Sequence, residues 1–441
     1  MNLKKLLLVS ISFFLFIAAK EIAITDYLNL PAIPYEYNVT LPAYFTNSAN
    51  PDDNTPATNP ITNNGATLGR VLFYDKNLSL NRTVSCASCH KATEGFSDSR
   101  ILGIGFAGGT TGRHGMTLIN TKYYQNGRFF WDERAATLEA QVLLPLQDAT
   151  EMGLTTAQIS ERVSAQPYYN QLFINAFGDN SVTNDRVSKA LAQFVRSIVS
   201  YQSKYDIGRA LVNNRNANFP NFTTEENLGK QLFLAPIPNG GGGCAGCHNS
   251  EAFISLRPEN NGLDATSTTD LGVGGVAPIR PNLIGAFKNS SIRNIELTAP
   301  FMHDGRFQTL EQVVEHYNSG IQAHLNLSPP LRNPNGTPVR LNFNATQKSA
   351  LVAFLKTLTD NSTATEARWS NPFCSTNLSF SGTVTSGTFQ SSNEISVQNG
   401  STTQIQSGNE VNFISRKSII LNPTFEVKAG SVFKAQIGGC N

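Results

Sequence analysis

The chain has 441 residues, enough for two or three domains, and an apolar fraction of 40% that suits a globular protein. Its net charge of +2 lacks the basic excess of a nucleic-acid binder. After the N-terminus no second long apolar run occurs, which argues against an integral membrane protein.

Lys4 and Lys5 precede an apolar run from Leu6 to Ala19. This order matches a secretory signal, and the run is short for a membrane span, which needs about 20 residues. Residues 1–20 are therefore expected to be a cleaved leader, with cleavage near Ala19. No Cys follows the run, which argues against a bacterial lipid anchor. The destination is the periplasm, with the cell surface or the extracellular space as the alternative.

Residues 20–60, rich in Pro, Asn and Thr, read as an extended lead-in. Residues 61–205 carry Cys86-Ala87-Ser88-Cys89-His90, and residues 223–365 carry Cys244-Ala245-Gly246-Cys247-His248. An Asn-rich stretch over 206–222 reads as a linker. The two larger segments repeat each other. Leu68-Gly69-Arg70-Val71-Leu72-Phe73 stands before the first motif, and Leu228-Gly229-Lys230-Gln231-Leu232-Phe233 before the second. Downstream, the stretch from Asp132 to Glu139 and the stretch from Asp304 to Glu311 share the pattern D-x-R-x-x-T-L-E.

The expected fold is mainly α: two tandem domains of one design, then a small all-β module over 371–441. Apolar stripes predict helices over 182–201 and 345–358. Thr224 and Thr309 are placed to cap helices, the latter in a capping box with Gln312. Short β-type runs occur at 419–421, 425–427 and 432–435. Cys374 and Cys440 bracket this tail and are a natural disulfide pair in an oxidising compartment.

A Cys-x-x-Cys-His motif carries a haem for a mechanical reason. Two thiols one turn apart add to the haem vinyl groups, and the adjoining His lies under the ring to ligate iron. A redox Cys pair or half a zinc site would need neither the adjoining His nor a duplicated context. Two covalent c-type haems are thus expected, on Cys86, Cys89 and His90 and on Cys244, Cys247 and His248.

The repeat also speaks to the opposite face of each haem. Tyr317 lies thirteen residues after Asp304, and Pro145 thirteen after Asp132. Proline offers iron no donor, whereas a tyrosine phenolate binds ferric iron. The same register opposes Gln141 to Val313, Glu151 to Ala323 and Trp131 to His303. An amide and a carboxylate therefore belong to the first haem alone, where cleavage of a peroxide O–O bond needs a proton carrier and an orienting donor. Trp131 is a candidate electron relay between the haems. His316, next to Tyr317, is a competing ligand.

Over about residues 65–360 the chain resembles the bacterial dihaem cytochrome c peroxidase and MauG family. The resemblance rests on Gly95-Phe96-Ser97-Asp98, Phe130-Trp131-Asp132-Glu133-Arg134-Ala135, Gln141 with Pro145, and Glu151-Met152-Gly153. It continues in Ile292-Arg293-Asn294 and in Ala299-Pro300-Phe301-Met302-His303-Asp304-Gly305. It implies two cytochrome-c-like domains, a peroxide site served by Glu151 and Gln141, and Trp131 between the haems. Phe106 stands where many family peroxidases carry a displaceable distal His, which implies an open first iron. Tyr317 matches the second-haem ligand of MauG-like members, where the peroxidases carry Met. A calcium ion at the domain junction is also implied, with the backbone oxygens of Thr298 and Pro300 matching. There, however, His114 replaces an Asn, and His is a poor ligand for a hard cation.

The implied activity is hydrogen peroxide reduction at the first haem, with electrons passed through the second. The electrons come from a small cytochrome, a cupredoxin or an oxidisable substrate. The alternative is a dihaem electron-transfer cytochrome without catalysis of its own. The tail, through Gly430-Ser431-Val432-Phe433-Lys434-Ala435 and Cys440, resembles short β-solenoid modules of secreted Bacteroidetes proteins, which implies surface display.

Overall fold

The computed structural model describes residues 28–373, 375–398, 402–415 and 417–437. The expected leader and both cysteines of the expected disulfide, Cys374 and Cys440, lie outside the described residues.

The helical part is organised by two crossed helix pairs. In the first, α1 (Asn63–Tyr74) packs on α3 (Asn184–Ser197), with α2 (Leu138–Gln147) alongside. In the second, α4 (Thr224–Leu234) packs on α6 (Ala345–Lys356), with α5 (Leu310–Glu315) alongside. The caps follow the residue chemistry. Thr62, Thr137 and Thr183 each accept an N–H of the first turn, and Thr309 forms the expected box with Gln312. In α4 the cap is Thr223, paired with Glu226, one residue before the expected Thr224. The stripes form the cores: Leu68, Val71, Leu72, Leu191 and Phe194 in one, Phe233, Phe253, Phe354 and Leu358 in the other. Each such buried side chain contributes about 1.5–3 kcal/mol.

The repeat is visible in the backbone itself. Phe96 and Phe253, each just after a Cys-x-x-Cys-His motif, have φ of 54° and 51°. Asn120 and Asn294 follow at 58° and 59°, and Phe130 and Met302 at 69° and 77°. Positive φ at a bulky residue costs about 1–3 kcal/mol and persists only where the surroundings fix it. Three matched pairs therefore reflect one chain path used twice. Trp131 and His303 stand in corresponding places, each just inside an antiparallel bridge, Phe129 with Ala135 and Phe301 with Phe307.

Two polar-looking segments are more tightly built than their composition suggests. The lead-in contains a helix, Ala43–Ala49, whose Phe45 joins Tyr123, Tyr124, Val199 and Ile254 in a core between the halves. The stretch read as a linker buries Asp206 and Phe219, and Tyr205, just before it, is buried too. Asp206 accepts from the fully buried Arg293 guanidinium at 2.6 Å.

The tail forms strands β1 (Ser375–Phe380), β2 (Gly382–Val384), β3 (Gly387–Val397), β4 (Thr403–Ile405), β5 (Glu410–Ser415), β6 (Ser418–Ile420), β7 (Phe425–Val427) and β8 (Val432–Ile437). All pair in parallel, β1-β3-β5-β8 in one sheet, where β6 also pairs β3, and β2-β4-β7 in another. Phe380, Phe389, Phe413, Phe425 and Phe433 pack on one another across successive strands. Among the described residues no helix is long and apolar enough to cross a membrane.

A Cβ added at Gly69 would lie 1.9 Å from the Ala190 carbonyl oxygen, and one at Gly229 1.8 Å from that of Ala350. Gly69→Ala and Gly229→Ala should each lower stability by about 1–3 kcal/mol, measured as a drop in thermal midpoint. Gly112→Ala, where a Cβ meets nothing, should leave the midpoint unchanged.

Candidate dihaem site

Each Cys-x-x-Cys-His motif opens on one 3₁₀ turn, Cys86–Ser88 or Cys244–Gly246. The His N–H closes it by donating to the first Cys carbonyl, at 3.0 Å for His90 and 2.9 Å for His248. Cys89 and His90 line a cavity of about 570 Å³, while Cys244, Cys247 and His248 line one of about 710 Å³. Both are of cofactor size.

Burial pushes the thiols of Cys86 and Cys244 up to about 12 and that of Cys247 to about 11. Burial lowers both imidazoles, His248 to about 4, so each is neutral with a lone pair to give. His90 Nδ1 faces the Phe96 carbonyl at 3.1 Å, which orients the ring. The Phe253 backbone holds the matching place beside the His248 ring.

The first cavity is completed by α2 and the turn after it. Gln141 and Pro145, four residues apart on one helix face, both line it, together with Glu151. Pro145 has no N–H, so the Gln141 carbonyl loses its helical donor. Glu151 is fixed by its backbone: its N–H donates to Asp148, and its carbonyl accepts from Phe106 at 2.9 Å. Its carboxyl is pushed above the usual range by burial and by Asp148, against the pull of Arg134. Arg134 lines the same cavity, its guanidinium 3.6 Å over the Phe130 ring. The Phe106 ring packs on Gly153, where an added Cβ would lie 2.5 Å from it.

In the second cavity Tyr317 stands with His248. It sits in a π-helical turn, His316–Gly320, that continues α5. Burial pushes its phenol up to about 12, and Asn261 lies 3.4 Å from the hydroxyl. The neighbouring His316 turns away, its Nε2 3.0 Å from the Asn261 carbonyl. Of the two expected ligands, Tyr317 therefore faces the cavity.

Trp131 lines the first cavity and also a small one, of about 130 Å³, that reaches His248 and Tyr317. Its indole N–H donates to the His114 carbonyl at 2.8 Å, and its ring meets His303 edge-on at 6.4 Å. Arg113 ties this region together, reaching Asp270 through two nitrogens at 2.8 Å and Asp132 at 2.7 Å. Lys288, with no signal in the sequence, is buried here. Its N–H donates to the Trp131 carbonyl and its ammonium lies 4.1 Å from the Tyr124 ring centre.

Thr298 and Pro300, whose backbone oxygens the resemblance assigns to calcium, line the small cavity with Ser97 and His114. The nearby Asp98 carboxylate is taken up by Arg100 through both oxygens.

The di-haem cytochrome c peroxidase family model matches residues 63–213. Methylamine utilization protein MauG of Methylophilus methylotrophus is 31% identical, over 69% of this chain and 84% of that protein. Cytochrome c551 peroxidase of Nitrosomonas europaea is 33% identical, over 69% and 82%. A crystal structure of a MauG-like protein associated with microbial copper homeostasis superposes with a TM-score of 0.64 at 30% identity, over 77% of this chain and 99% of that one. On these matches the chain belongs to the dihaem cytochrome c peroxidase and MauG family of haem oxidoreductases.

Proposed function

We propose that the chain is a MauG-like peroxidase that reduces hydrogen peroxide at the haem of His90, with electrons passed through the haem of His248. The supporting observation is an asymmetry of the two cavities. One presents Gln141, Glu151 and a proline; the other presents Tyr317. The haems, bound through Cys86 and Cys89 and through Cys244 and Cys247, supply the iron and store the electrons.

The chain's own residues do the rest. Glu151, its carboxyl pushed above the usual range by burial, takes a proton from incoming peroxide and returns it to the leaving oxygen. Gln141 donates a hydrogen bond that orients the substrate. Pro145 offers the first haem no donor, and Phe106, packed on Gly153, offers none either. Tyr317 would hold the second haem together with His248, its phenolate supplying a ligand for ferric iron. Trp131 bridges the two, its N–H fixed on a carbonyl that cannot take the proton. Each half, 61–205 and 223–365, then serves as one cytochrome-c-like domain. The electron donor is a small redox protein or an oxidisable substrate met outside the cytoplasm, after export.

Glu151→Gln should slow peroxide turnover about a hundredfold to ten-thousandfold, while haem staining after denaturing electrophoresis shows both haems still attached. Normal turnover by this variant would remove Glu151 from the mechanism.

The resting ferric protein should show one high-spin and one low-spin haem by electron paramagnetic resonance, and Tyr317→Phe should convert the second to high spin. Two low-spin haems at rest would contradict an open first site.

Glu151 also predicts a pH effect on stability. Its carboxyl keeps a proton to higher pH when folded than the ordinary value of 4.5. The stability it contributes is therefore present below 4.5 and falls as the pH rises through the higher folded value. In thermal scans from about pH 4 to 8, Glu151→Gln should gain on the wild type across that window.

A further inference from the structure

His114 stands where the family resemblance implies a calcium ligand, yet its ring is fully engaged. It is buried, 5% exposed. Its Nδ1 lies 3.1 Å from the Arg100 carbonyl and 3.2 Å from that of Ile101. Both neighbours are acceptors, so Nδ1 carries a proton. Two converging carbonyls are what a hard cation would use; here one N–H occupies them. On the other side, Nε2 lies 3.2 Å from Ser97 Oγ, whose one hydroxyl hydrogen goes to the Gly115 carbonyl at 2.6 Å.

The backbone of the same residue reaches both halves. The His114 carbonyl accepts the Trp131 indole N–H at 2.8 Å, and its N–H donates to the His303 carbonyl at 2.8 Å. Ser97 adjoins Phe96, whose carbonyl holds His90. At Gly115 an added Cβ would lie 3.1 Å from the Cys89 carbonyl, so this segment passes close to the first motif. One residue thus joins the first motif, Trp131 and the segment around His303.

We propose that the His114 side chain closes this junction in place of a divalent cation, and that His114 is the positioning residue for Trp131. A buried N–H delivered by the chain satisfies the inward carbonyls permanently, so the junction does not depend on external calcium. The second clause rests on the reading of Trp131 as the bridge between the haems.

The test uses the full-length haem-loaded protein. Elemental analysis after gel filtration should find well under one calcium per chain, and excess EGTA should leave the thermal midpoint and the haem spectrum unchanged. Stoichiometric calcium whose removal lowers the midpoint would overturn the proposal. His114→Ala should lower the midpoint and change the absorption response of the second haem to one equivalent of peroxide; His114→Gln, which keeps a side-chain N–H, should restore much of both. Added to Trp131→Phe, His114→Ala should change that response little further, because the two act as one unit. An unaltered midpoint in His114→Ala, or fully additive effects on the response, would refute the positioning role. If Trp131→Phe alone alters nothing, the bridge reading fails, and the calcium and midpoint measurements still decide how the junction is closed.

Discussion

Where α1 crosses α3, and where α4 crosses α6, a glycine lets one helix backbone rest against a carbonyl of the other with no side chain between. The separation of the helix axes is set there, at the closest approach two helices allow. Each Cys-x-x-Cys-His turn lies next to one of these crossings, since α1 and α4 run directly into the loops that carry the motifs. The cavity beside each His can hold its shape because its walls are hung on a contact that has no slack. The strained residues just after the motifs, Phe96 and Phe253, belong to the same logic: the surroundings impose the turn, and the turn aims the imidazole.

On that shared frame the differences between the halves are small in number and large in effect. A proline against a tyrosine, a glutamate in a turn against an exposed alanine, and a tryptophan against a histidine separate two otherwise matched sites. None of these exchanges disturbs a core. Each changes only what a cavity offers to a ligand: a donor, a proton or an open face. Duplication with side-chain exchange lets one scaffold present two differently lined cavities.

Much of this was legible in the residues, for physical reasons. The two Cys-x-x-Cys-His motifs declare themselves by fixed residue types at fixed spacing, and the repeat then carries the register from one half to the other. It correctly pairs Trp131 with His303 and sets Pro145 and Tyr317 in matching cavities. The unread parts are those that only packing assembles. Lys288 and Asn261 lie on loops without periodicity and reach the site from far along the chain. Phe45 and Phe219 are single anchors in polar stretches, invisible to composition. In the tail the short β-type runs are found, but parallel pairing depends on contacts 16 to 24 residues apart, which no local pattern encodes.

The π turn at 316–320 carries a last consequence. His316 and Tyr317 are neighbours, and on any helix neighbours point in different directions, so only one can look into the cavity. Their order along the chain does not decide which; the winding does. A π turn holds more residues per revolution than an α turn and rotates less at each step. Ordinary helical counting therefore drifts at the position that matters. The identity of the group facing His248 is thus stored in backbone pitch, and a change that rewound this one turn could exchange a phenol for an imidazole without altering either residue.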